Sequence, residues 1–106
     1  FDFEPFDASG ATDYTSIEVQ GSALSAPVAL TRLSTNDSHI WYANGVTLGT
    51  GDLAFSTNLG SSWGSDTSFS GTATDGGANI PVIVGDEYDI WFNDLTGEYI
   101  MIPLNL

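Results

Sequence analysis

The sequence predicts an all-β chain folded as an antiparallel β-sandwich of about seven to eight short strands. Three observations carry this. No stretch of the 106 residues repeats apolar positions at helical spacing over three turns. Gly, Ser, Thr, Asn and Asp recur instead at the rhythm of short strands joined by turns, about every 8–12 residues. A hydrophobic fraction of 42%, with 12% aromatic residues, is enough to fill a core in spite of a high net charge.

The opening residues intersperse Phe1, Phe3 and Phe6 with Asp2, Glu4 and Asp7. Residues 1–12 are therefore expected to be a linker end or an N-terminal strand, and residues 13–106 a single domain, the commonest independent size being about 100–150 residues. Strands are expected near 15–20, 27–33, 38–48, 52–57, 79–84, 87–92 and 98–104. The Ser-, Gly- and Thr-rich run from Gly60 to Gly77 reads mostly as loop, with a short strand around Ser68 to Ala73. Ile80 to Val84 is continuously apolar and reads as an interior strand, although Pro81 must leave one hydrogen-bonding position empty. Asn93 to Gly97 reads as a hairpin turn, with Asn93 and Asp94 able to cap it and Gly97 free to take positive φ. The strand that follows has apolar residues at both parities, so it is buried on both faces or covers an aromatic.

Successive strand side chains point to opposite faces, which gives two of these segments a site reading. Tyr88, Ile90 and Phe92 share one face, leaving Asp89, Trp91 and Asn93 on the other. Ile40, Tyr42, Val46 and Leu48 share parity, with His39, Trp41 and Ala43 opposite. Trp91 and Trp41 are thus the expected outward aromatics, unless a bulge at Asn44 and Gly45 switches parity midway.

Fourteen carboxylates stand against one basic residue, Arg32, for a net charge of −13 with no lysine. Nucleic acid is excluded as a partner, because phosphate binding requires clustered Lys and Arg. Anionic membrane surfaces and acidic polysaccharides are repelled for the same reason. A neutral ligand meets no such barrier. Without Cys there is no disulfide, thiol nucleophile or thiolate metal site, and no apolar run approaches the length of a membrane-spanning helix.

Residues 46–103 carry a resemblance. They run GVTLGTGDLAF, then NLGSSWG, then GGANIPVIVGDEYDIWFNDLTGEYIMIPL, and the earlier IEVQGSALSAPVALTRL fits more loosely. This order resembles the binding domains of the SusE/SusF-type outer-membrane starch-binding lipoproteins of Bacteroidetes. The resemblance implies an immunoglobulin-like sandwich, exported and tethered to the outer membrane within a longer lipoprotein, that binds a glycan without cleaving it. It also implies other surface glycan-uptake proteins as neighbours, and sites built from Trp and Tyr platforms with flanking polar and basic residues. Ala54 stands where that pattern usually has a basic residue before the Phe, so any site using that Lys is missing here.

A flat aromatic stacks on the C–H face of a sugar ring while nearby polar groups bond its hydroxyls. Trp91 and Trp41 are the expected platform for a neutral oligo- or polysaccharide, with Arg32, Asn93 and His39 as polar partners. Each has a plainer role to be weighed: a half-buried sheet residue for either Trp, half of an ion pair for Arg32, a solvated strand position for His39 and turn capping for Asn93. Trp63 is expected in the core. No Gly-x-Ser-x-Gly elbow, His-Glu-x-x-His helix or phosphate loop occurs, so no catalytic residue, cofactor or metal is expected. Asn36, Asp37, Asp66, Asp75, Asp86 and Glu87 supply oxygen ligands in principle for calcium, but no Asp-x-Asp-x-Asp-Gly loop gathers them. The competing reading is a structural or spacer module making protein contacts in a surface complex or filament. In that reading the Phe1, Phe3 and Phe6 segment is exchanged between copies, giving self-association.

Overall fold

The computed structural model describes residues 14–33 and 39–105; the Phe1, Phe3 and Phe6 segment and the Asn36 and Asp37 ligand candidates lie outside the described residues. Among the described residues eleven strands and no helix occur: β1 (Ile17–Gln20), β2 (Val28–Ala29), β3 (Thr31–Arg32), β4 (Ile40–Leu48), β5 (Gly51–Thr57), β6 (Ser62–Gly64), β7 (Ser70–Thr72), β8 (Thr74–Asp75), β9 (Ile80–Val82), β10 (Asp86–Asn93) and β11 (Glu98–Pro103). They form two antiparallel sheets. The first runs β2-β1-β5-β6-β8, with β9 also paired to β5, and the second runs β3-β4-β10-β11-β7.

The expected strand at 27–33 is two strands because the chain changes sheet within it. β2 pairs with β1, whereas β3 pairs with β4. Between them Leu30 is buried and donates its N–H to the Ile17 carbonyl at 2.9 Å, a pivot that leaves no backbone donor stranded at the crossing.

The two sheets meet through aromatic contacts. Phe55 of β5 stacks on Phe92 of β10 with centroids 4.2 Å apart and planes 10° apart, and Trp63 of β6 meets Phe92 edge-on at 6.1 Å. Tyr88, Ile90, Met101, Leu53 and Ile80 fill the space around them. Full burial of each such side chain contributes about 1.5–3 kcal/mol. Trp63 therefore packs against the core as expected, although its indole N–H is enclosed without a hydrogen-bond partner.

Three expectations need correction. The run from Gly60 to Gly77 contains β6 and β8 as well as β7, because Trp63 pairs with Phe55 on one side and Asp75 on the other. Its small polar residues hid strands that are anchored by one tryptophan. The strand at 80–82 is not interior: β9 pairs with β5 alone, and Ile83 beyond it is 61% exposed. The parity of the first half of β4 is also inverted. Between Tyr88↔Val46 and Ile90↔Ala43 the register slips, so Asn44 and Gly45 together face Asp89. Gly45 takes φ +64°, and its N–H donates to the Asp89 carboxylate at 3.0 Å. This bulge turns Trp41 inward and Tyr42 outward while leaving Val46 and Leu48 in the core.

The β10–β11 hairpin is built as the sequence indicates. Asn93 accepts from the Leu95 and Thr96 N–H groups at 2.8 and 3.2 Å, and Gly97 at φ +87° donates to the Asn93 carbonyl at 2.7 Å. A Cβ on Gly97 would stand 2.1 Å from the Ala73 carbonyl oxygen, so no other residue fits.

Candidate functional site

The outer face of the five-stranded sheet carries one continuous row. Cross-strand pairing sets Thr31 beside Tyr42, Tyr42 beside Trp91, Trp91 beside Ile100 and Ile100 beside Ser70. Directly opposed residues on one sheet face have Cβ atoms about 4.5–5.5 Å apart, so these side chains touch in sequence. Tyr42 and Trp91 stack, with centroids 5.1 Å apart and planes at 28°. Ile100 and Ile102 on the same face are 44% and 43% exposed, which extends the row into an apolar surface.

An open groove of about 590 Å³ runs beside Trp91, over β11 to the edge strand β7. Its walls include Trp91, Asn93, Glu98, Ile100, Ser70 and Thr72, but not Tyr42. Tyr42 stacks on the indole without lining the groove, whereas Ile40, two residues before it on β4, does line it, so the tyrosine supports the tryptophan from outside the groove. The floor is aliphatic and the far wall carries two hydroxyls. Asn93 spends its side-chain oxygen on the turn, so its side chain can meet a ligand as a donor through the amide N–H groups. Glu98 accepts from the Thr96 hydroxyl at 3.2 Å and is exposed.

The edge strand is held firmly. Tyr99 reaches beneath Gly71 and donates its hydroxyl to the Thr67 carbonyl, while the Phe69 carbonyl accepts from the Met101 N–H at 2.6 Å. Phe69 adopts φ +69°, an uncommon conformation for a bulky residue, and packs against the core near Tyr88. Backbone strain of this kind persists only where the surroundings enforce it.

Trp91 and Asn93 lie together at this groove. The other three expected site residues do not. Trp41 is 3% exposed and belongs to the core, and His39 is equally buried. Trp41 donates its indole N–H to the Asp94 carboxylate at 2.8 Å, and the His39 imidazole nitrogen Nδ1 lies 2.5 Å from the other Asp94 oxygen. Arg32 lies over the Trp41 ring, 4.8 Å from its centroid, and donates to the Tyr14 carbonyl. These residues form an interior polar cluster that joins β3, β4 and the start of the hairpin turn, behind the sheet rather than on its face. Burial pushes the Asp94 carboxyl above its ordinary value, against the opposing pull of the Trp41 and His39 hydrogen bonds and the Arg32 charge.

Among the described residues no three His, Asp or Glu side chains gather closely enough to hold a metal ion. Asp86 is engaged by Asn105, whose amide donates to it at 2.8 Å, and this bond holds its carboxyl below the usual range. Sequence reasoning missed Tyr42 as the ring stacked on Trp91, and Ile40, Ile100, Glu98, Ser70 and Thr72 as groove residues. The adjacency of Trp41 and Tyr42 was the available signal for the first: in a strand one of two neighbours must face outward, and the Asn-Gly bulge decided which. No family model, curated protein or solved structure matches the chain.

Proposed function

We propose that this chain is a non-catalytic glycan-binding module whose site is the groove beside Trp91. The observation that carries the reading is an outward indole, stacked on Tyr42, that lines a groove with hydroxyl and amide groups. A pyranose ring laid against Trp91 in the groove gains aromatic contact, while Ser70, Thr72 and Asn93 bond its hydroxyls. The resemblance to SusE/SusF-type domains supports the same reading from an independent direction. It extends the proposal to an exported, outer-membrane-tethered lipoprotein working beside other glycan-uptake proteins.

Calorimetry or affinity gel electrophoresis against a panel of glucans and other polysaccharides tests this. Binding to at least one is expected, with a loss of about tenfold or more in Trp91→Ala and little change in Leu59→Ala, an exposed residue away from the groove. A folded wild-type protein that ignores the whole panel overturns the proposal. The exposed Ile100 and Ile102 favour a second reading, protein contact through the same face. It requires self-association or partner capture that an Ile102→Asp substitution abolishes.

A further inference from the structure

Among the described residues Glu98 is the one carboxylate lining the groove, and no Lys or Arg lines it. The chain holds a single Lys or Arg, and Arg32 is occupied over Trp41 and at the Tyr14 carbonyl. In β10 and β11 the outward positions that flank the aromatic row are Glu87, Asp89 and Glu98. Asp89 bonds the Gly45 N–H, which leaves its negative charge in place. Trp91 pairs with Ile100, so Glu98 is its diagonal neighbour, about 7–8 Å away between strand positions. That separation is of the order of one sugar residue. An aromatic face beside a carboxylate is the arrangement that holds an organic cation, through the ring quadrupole on one side and the full charge on the other.

We infer that the groove prefers a cationic amino sugar, a hexosamine with a free amine, over the neutral sugar of the same shape. The ring stacks on Trp91 and the ammonium lies toward Glu98. The net charge of −13 acts in the same direction by raising the local concentration of cationic ligands. This inference rests on the glycan-binding reading and specifies the ligand class for the same groove.

The test compares tetramers of β-1,4-linked glucosamine and N-acetylglucosamine by calorimetry, below the pKa of the sugar amine. Acetylation removes the charge and keeps the ring, and a panel of neutral glucans is run in parallel. The glucosamine tetramer should bind about fivefold tighter or more at low salt, the scale of one solvated charge pair about 4 Å apart. The preference should fall toward unity in Glu98→Gln, and also at about 1 M salt, where the Debye length is ~3 Å. Glu98 is exposed, so the substitution leaves the fold intact.

Equal or weaker binding of the glucosamine tetramer overturns the inference and leaves the glycan reading standing. If neither tetramer nor any neutral glucan binds, both fall. A preference that survives in Trp91→Ala or Glu98→Gln is general attraction to the acidic surface and overturns the assignment to this groove. Tetralysine binding as tightly as the glucosamine tetramer overturns the sugar part, since charge alone would then suffice.

Discussion

At the residue scale two neighbouring aromatics in β4 take opposite faces, one in the core and one beside the proposed site. Trp41 faces inward, where its indole N–H has a buried acceptor in Asp94, whereas Tyr42 faces outward and stacks on Trp91. Replacing Trp41 with Phe keeps much of the packing but leaves a buried carboxyl oxygen without its donor. The expected cost is about 1–3 kcal/mol in urea unfolding, with the groove and its ligand affinity unchanged. Asp94 gives a pH signature. Burial raises its folded carboxyl above the ordinary 3.8, so the folded state binds the proton more tightly than the unfolded chain. Its contribution is complete below the unfolded value and is lost as pH rises through the folded one. The stability of the wild type relative to Asp94→Asn is therefore expected to be greatest at the acid end and to fall as pH rises, read from urea titrations at a series of pH values. A difference that grows with pH would contradict the assignment.

At the element scale the bulge in β4 makes that division possible. One extra residue facing Asp89 lets Val46 and Leu48 fill the core below it and Trp41 above it, while Tyr42 reaches the surface. A Cβ on Gly45 meets nothing within 4 Å, so Gly45→Ala costs only the backbone strain of positive φ, about 1 kcal/mol. A thermal scan should show a shift of about 4–8 °C for each kcal/mol. The alternation of Tyr88, Ile90 and Phe92 against Trp91 and Asn93 was legible in the sequence, as was the Asn93–Gly97 turn, because both depend on local periodicity and turn chemistry. The orientation of Trp41 was not, since it follows from a register slip between strands distant in the chain. β6 and β8 escaped for a related reason. Ser62 and Gly64 have little strand propensity of their own and are held by pairing, Ser62 opposite Ser56 and Gly64 opposite Thr74, on either side of a Trp63 that pairs with both Phe55 and Asp75.

At the scale of the whole molecule the two outer faces differ. The six-stranded sheet shows small and polar outward positions such as Glu18, Gln20 and Ser56, whereas the five-stranded sheet shows Tyr42, Trp91, Ile100 and Ile102. An acidic surface with an aromatic row on one sheet face is the arrangement that the proposed glycan reading uses. The acidity also has an acid limit. Asp52, held below its usual range by the Ser22 backbone N–H and hydroxyl, and Asp86, held down by Asn105, contribute stability above the unfolded carboxylate value, and that stability is lost as pH falls through their folded values. They oppose Asp94, so the stability of the wild type relative to Asp52→Asn is expected to fall as pH drops through the acid range, the reverse of the trend for Asp94→Asn, read from the same urea titrations.

The central claim is that ligands meet Trp91 on the sheet face and leave Trp41 and Trp63 untouched within the sandwich. The three indole N–H resonances of the 15N-labelled protein report on this separately, once assigned by Trp→Phe substitution. Titration with a bound glycan is predicted to move the Trp91 signal progressively while the Trp41 and Trp63 signals stay in place. Movement of the Trp41 signal with Trp91 unperturbed would contradict the account.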